Sequence, residues 1–119
     1  MSSRMNRRHY QLDAWKHAMD LVVAVYEIIT LLPKEERFEL ASQLRRSAVS
    51  IPSNIAEGAA RAHRREYLQF LYIARSSLSE LETQMLISAR LSYISEEHEI
   101  FESMDREAQL IQGLIRGLS

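Results

Sequence analysis

Six arginines stand between residues 40 and 75: Arg45, Arg46, Arg61, Arg64, Arg65 and Arg75. Glu57 and Glu66 are the two acids of that stretch, which leaves it at +4. A guanidinium group is always charged, and its planar fork of donors matches a phosphate. A local excess of such groups is the electrostatic footprint of a protein that holds nucleic-acid phosphates. Arg45, Arg46, Arg61, Arg64 and Arg65 are therefore the candidate nucleic-acid-binding residues. Arg45 and Arg46 are adjacent, so on a helix they splay ~100° apart and cannot both face a core. The competing reading is a solvated face whose charge is answered by Glu96, Glu97, Glu99, Glu102 and Asp105. On that reading the protein is a scaffold or adaptor for another protein and touches no nucleic acid.

Catalytic and metal-binding patterns are weak. His9, His17, His63 and His98 are scattered, and none forms an HExxH motif. Glu66 has no histidine at the ExxH spacing of di-iron bundles. Glu80 and Glu82 fall on nearly opposite sides of a helix, so they are not a paired-carboxylate site. Glu57 lies near Ser53 and Asn54, where an i, i+4 helical contact accounts for it. No cysteine is present, which excludes thiolate chemistry and disulfides and fits a cytoplasmic protein. The reading is non-enzymatic, with no cofactor and no metal.

The elements that position the arginines follow from apolar spacing. A first helix is expected from Asp13 to about Leu32, with a core stripe of Trp15, Met19, Val22, Tyr26 and Ile29. Pro33 ends it and opens a second helix from Lys34 to Ala60. In that helix Ala41, Leu44, Ala48, Ile51, Ile55 and Ala59 keep one phase across Pro52. An interior proline costs ~3 kcal/mol and kinks a helix. The unbroken phase predicts one helix kinked at Pro52 rather than two, with Ser47, Ser50, Ser53 and Asn54 satisfying the backbone groups it frees. Gly58 stands near the end as a cap or a loosened turn. A third helix carries Tyr67, Leu71, Ala74, Leu78, Leu81 and Met85 in heptad steps. Ser95 is expected to cap a fourth, with Phe101, Met104, Ala108, Ile111, Ile115 and Leu118 inward. Four helices with short links run up, down, up and down. The fold class is all-α, an antiparallel four-helix bundle spanning residues 13–119, preceded by a flexible basic tail, residues 1–12.

The net charge of −1 conceals an asymmetry, +4 over residues 1–75 and −5 over residues 76–119. No apolar run is long enough to span a bilayer, so no membrane partner is expected. Leu21 and Ile28 on the first helix, and Leu68, Tyr72, Ile73 and Leu86 on the third, lie outside the expected stripes. Together they form a larger apolar surface than monomers usually carry, and they are the expected oligomer interface.

The run RRSAVSIPSNIAEGAAR, with Ser50, Ile51, Pro52, Ser53, Asn54, Ile55, Ala56, Glu57 and Gly58 as its centre, resembles the signature of a bacterial four-helix bundle family. Some members of that family are encoded by intervening sequences within 23S ribosomal RNA genes. The resemblance continues upstream in LDAWKHAMDLVVAVYEI and downstream in EYLQFLYIARSSLSELETQMLISARLSYI. It implies the same bundle fold and an association with RNA. More distantly, the chain is similar to accessory proteins of diversity-generating retroelements, which form basic pentameric barrels that bind a reverse transcriptase and nucleic acid. That similarity, and no residue pattern, implies a homopentamer.

Overall fold

The computed structural model describes residues 7–119. Four α-helices follow one another: α1 (Asp13–Ile29), α2 (Leu40–Ala59), α3 (Arg64–Arg90) and α4 (Ile100–Leu118). Each packs against its neighbours in sequence, and α4 closes back onto α1. Short links between long helices give the antiparallel order. The expected all-α four-helix bundle is the observed fold.

The α3 stripe is as the heptad spacing predicts: Tyr67, Leu71, Ala74, Leu78, Leu81 and Met85 are all buried. The α2 stripe holds as well, and the helix runs without interruption through a buried Pro52. Ser53 Oγ and Asn54 Nδ2 donate to the carbonyls of Val49 and Ser50, at 2.7 and 2.8 Å. The proline removes the donor to Ala48, one carbonyl earlier, so these side chains brace the turn beside the gap rather than filling it.

Other expectations need correction. The buried face of α1 is Ala14, Ala18, Leu21, Val25 and Ile28, one residue ahead of the expected stripe. One residue is a rotation of ~100°. Leu21 and Ile28 are each 2% exposed, so they belong to the core and not to an outer interface. Met19 and Tyr26 point outward instead. The buried face is small at its start, with Ala14 and Ala18, and large further on, with Leu21, Val25 and Ile28.

Helix α2 begins at Leu40, not Lys34. Lys34–Glu36 form a separate 3-10 turn, and Glu39 has φ −111° and ψ −102°, which no helix continues through. Gly58 is buried inside α2 and is not a cap. A Cβ there would lie 2.8 Å from Phe70 Cβ and 3.1 Å from the Tyr67 carbonyl oxygen. The glycine lets α2 and α3 meet. Helix α4 starts at Ile100, and Ser95 Oγ accepts from Glu97 N–H within the preceding loop. In α4 the inward position expected for Ala108 is taken by Glu107, which is fully buried.

The α3 C-terminus closes with paired bonds, Ser92 N–H to Ala89 O and Tyr93 N–H to Ser88 O, both 2.9 Å. This is a Schellman arrangement with Ser92 in the left-handed region at φ 65°. Arg8–Gln11, placed in the tail by the sequence reading, form a 3-10 turn that packs on α1 and α2. Arg4 and the rest of the expected tail up to residue 6 lie outside the described residues.

Candidate nucleic-acid interface

The sequence names five arginines as candidates, two before Pro52 and three around the α2–α3 junction. The structure keeps the two groups apart. Arg45 and Arg61 are separated by most of the length of α2, about 24 Å at ~1.5 Å per residue. Arg45 is half-buried and donates to Arg37 O at 3.3 Å, and Arg46 donates to Ser42 Oγ at 2.6 Å. Both are engaged locally, on the part of α2 away from the α2–α3 junction.

Arg61, Arg64 and Arg65 stay together around the start of α3, and all three are exposed. A fourth arginine joins them. The Arg8 guanidinium lies 4.8 Å above the Tyr67 ring, and Arg61 lies 4.8 Å above the Phe70 ring. The first two turns of α3 are thus flanked by four guanidinium groups, two of them over aromatic rings. Arg75, further along α3, packs on Tyr72 at 5.1 Å and donates to Gln112 at 3.2 Å.

This end of the bundle carries an excess of positive charge. His63 is the residue before α3, with extended backbone and no side-chain cap bond. The first amides of α3 therefore have no side-chain acceptor, and they stand at the positive end of the helix dipole. Arg64 and Arg65 occupy that same first turn, where a positive charge costs ~0.3–1 kcal/mol. Glu66 in the same turn offsets part of that cost, and a bound anion would offset more. Arg7 helps to hold the His9 imidazole below its ordinary range, after burial as the larger cause. Burial pushes the Tyr67 hydroxyl up, and Arg8 opposes it. Two carboxylates are present: Glu57 pairs with Arg61 at 3.1 Å, and Glu66 lies in the first turn of α3.

Among the described residues, no carboxylate of α4 reaches these arginines; the two ion pairs are Arg61–Glu57 and His17–Glu107. Within the single chain, the expected neutralisation by Glu96, Glu97, Glu99, Glu102 and Asp105 is not formed among the described residues. Glu96, Glu97 and Glu99 sit in the α3–α4 loop. Sequence reasoning missed the part of Arg8, because its contact with Tyr67 spans 59 positions and leaves no local pattern.

Of the residues expected at an interface, Tyr72, Ile73 and Leu86 are between 42 and 47% exposed, and Leu68 is partly buried against the core. The signature run divides by helix face. Ile51, Pro52, Ile55 and Gly58 face inward, and Ser53 and Glu57 face solvent. Ala56 is half-buried, as are Ser50 and Asn54, which join a polar chain to α3: Asn54 Nδ2 donates to Ser50 Oγ at 2.9 Å, and Ser50 Oγ bonds Ser77 Oγ at 2.7 Å. Among the described residues no group of His, Asp or Glu is arranged to hold a metal ion. No helix among them is long and apolar enough to cross a membrane.

Comparison with known proteins places this geometry in a family. A family model described as 23S rRNA-intervening sequence protein matches residues 10–117. No curated protein matches the chain. A crystal structure of a protein of unknown function from the S23 ribosomal protein family of Bacteroides thetaiotaomicron superposes with a TM-score of 0.79 at 24% identity, covering 87% of this chain and 98% of that one. At that identity the likeness speaks for the fold.

Proposed function

The chain belongs to the 23S rRNA-intervening sequence protein family, and from that premise we propose that it is a non-enzymatic, self-associating bundle that holds nucleic-acid phosphates at the start of α3. One observation carries this reading. An uncapped helix N-terminus is flanked by Arg8, Arg61, Arg64 and Arg65, two of them stacked on Tyr67 and Phe70. Arg64 and Arg65 are exposed to solvent, Arg61 shares its donors with Glu57 at 3.1 Å, and the uncapped amides of α3 add dipolar attraction. Contacts of this kind fix a backbone and carry little sequence preference. RNA is the expected class because of the family's ribosomal RNA association, and copies of the chain would multiply a modest patch into a strong one.

Self-association rests on Tyr72, Ile73 and Leu86, which are exposed in the single chain, together with Met19 and Tyr26. The same surface supports the second reading, a protein-binding scaffold. The test is a salt titration of binding to a structured RNA. Phosphate binding predicts a linear fall of log K with log salt, with a slope of about −2 to −4 for a few neutralised phosphates. Absence of binding at low salt, with the oligomer intact by light scattering, leaves the scaffold.

A further inference from the structure

Glu107 stands in the core stripe of α4 at 0% exposure. Its Oε1 lies 2.9 Å from Nδ1 of His17 on α1, a ring that is 27% exposed. Its Oε2 has no hydrogen-bond partner. An unpartnered carboxylate oxygen in a core is costly, and more so when the group is charged. The two residues together are the side-chain polar link between α1 and α4 among the described residues, as Arg75–Gln112 is between α3 and α4. The α2–α3 pair by contrast is joined by Ser47–Gln84, Ser50–Ser77 and the close approach at Gly58.

From this arrangement we infer that His17 and Glu107 form a proton-operated latch, closed on α4 while the pair holds one proton and released when that proton leaves. With one proton the pair is either a carboxylic acid donating to Nδ1 or an imidazolium donating to a carboxylate; both close the 2.9 Å bond. Without it, two acceptors face each other and a carboxylate is left in the core.

The surroundings favour retention of the proton. Burial pushes the Glu107 carboxyl up to about 8, and no other charged group contributes to that shift. From α1 the facing titratable group is His17. From α3 the charged side chain turned towards α4 is Arg75, and it is engaged with Gln112. At the start of α4, His98 Nδ1 accepts from Ile100 N–H at 3.0 Å, about two turns from Glu107.

The sign follows from proton counts. A raised folded-state value means that the closed form binds more protons than the open form as pH rises towards it, so closure weakens up to about 8. Once opened, a solvated carboxylate is already ionised and a solvated histidine gives up its proton near pH ~6.5. Between that value and about 8 the closed pair holds one proton and the open pair none. Opening then rises tenfold per pH unit, roughly thirtyfold in all.

Hydrogen exchange on the intact protein tests this, with α4 protection factors measured from about pH 4 to 9 and normalised to the intrinsic rates. The expected result is a roughly thirtyfold loss of α4 protection between about pH 6.5 and 8, with α2 and α3 unchanged. Glu107→Gln, which keeps a donor to Nδ1 and cannot ionise, is expected to give a flat profile. His17→Phe leaves the carboxyl alone with its proton, so the loss should begin about two pH units lower, near the ordinary carboxylate range. That shift of onset is not produced by a merely structural contact. A flat wild-type profile, a parallel loss in all four helices, or an unchanged pH dependence in Glu107→Gln overturns the latch. If Glu107→Gln does not fold, the wild-type and His17→Phe profiles decide alone.

Discussion

Between α2 and α3 the polar side chains are paired: Ser47 with Gln84 at 2.9 Å, and Asn54 through Ser50 to Ser77. Between α1 and α4 the buried carboxylate of Glu107 has one partner and one orphan oxygen. Both seams bury polar atoms, yet they differ in what those atoms do. The α2–α3 groups are neutral hydroxyls and amides that match each other at any ordinary pH, so they fix register without a titration. The α1–α4 pair is ionisable and half-satisfied, so it makes one side of the bundle depend on proton activity. Arg61, Arg64 and Arg65 stand on the α2–α3 side.

The largest expected effect breaks that rigid seam. Gly58→Val places side-chain atoms where even a Cβ would be 2.8 Å from Phe70 Cβ. A loss of ~3 kcal/mol or more is expected, and urea unfolding measures it. A well-folded Gly58→Val protein would show that the helices can part at no cost, and the contrast between the seams would fail.

Next comes the titrating seam. Glu107→Met replaces a buried carboxyl with an apolar side chain of similar length, and a gain of ~1–4 kcal/mol is expected at pH 8. The gain should shrink as pH falls. Glu107 has a raised value, so it opposes folding least below the ordinary carboxylate range and most at and above about 8. Equal gains at pH 6 and pH 8 would separate the burial cost from protonation. A smaller change is expected from Ser77→Ala, which leaves Ser50 Oγ without its 2.7 Å partner; ~1 kcal/mol is lost, with no pH dependence. The smallest effect lies at the α3 C-terminus, where Ser92 holds φ 65°. Ser92→Gly should stabilise by ~0.5–1 kcal/mol, read as a small rise in melting temperature.

The contrast between seams also explains what the sequence made legible. The α3 stripe is unambiguous because large apolar residues recur at heptad steps with polar residues between them. Helix α1 is apolar on two sides, so two phases a residue apart fit equally well. Weight by residue size favoured Trp15, Met19 and Tyr26, whereas packing favoured the alanines. In α4 the positions Glu107 and Ala108 both continue the three–four spacing, and charge argued for the alanine. Only a partner on another helix, His17, makes the glutamate tolerable inside, and that pairing spans 90 positions. At the candidate site, the charge count identified Arg61, Arg64 and Arg65. Residue spacing along one helix already set them apart from Arg45 and Arg46, whereas the contact of Arg8 with Tyr67 left no local pattern.

That separation gives the most direct test of the proposed phosphate site. Arg64→Glu with Arg65→Glu, and Arg45→Glu with Arg46→Glu, change net charge equally, at opposite ends of α2. Affinity for a structured RNA is measured for both at one low salt concentration and then along a salt series. The account predicts at least a tenfold loss and a shallower salt slope for the Arg64 and Arg65 pair, with the Arg45 and Arg46 pair close to wild type. Equal losses in both variants, or a loss confined to the Arg45 and Arg46 pair, would contradict it.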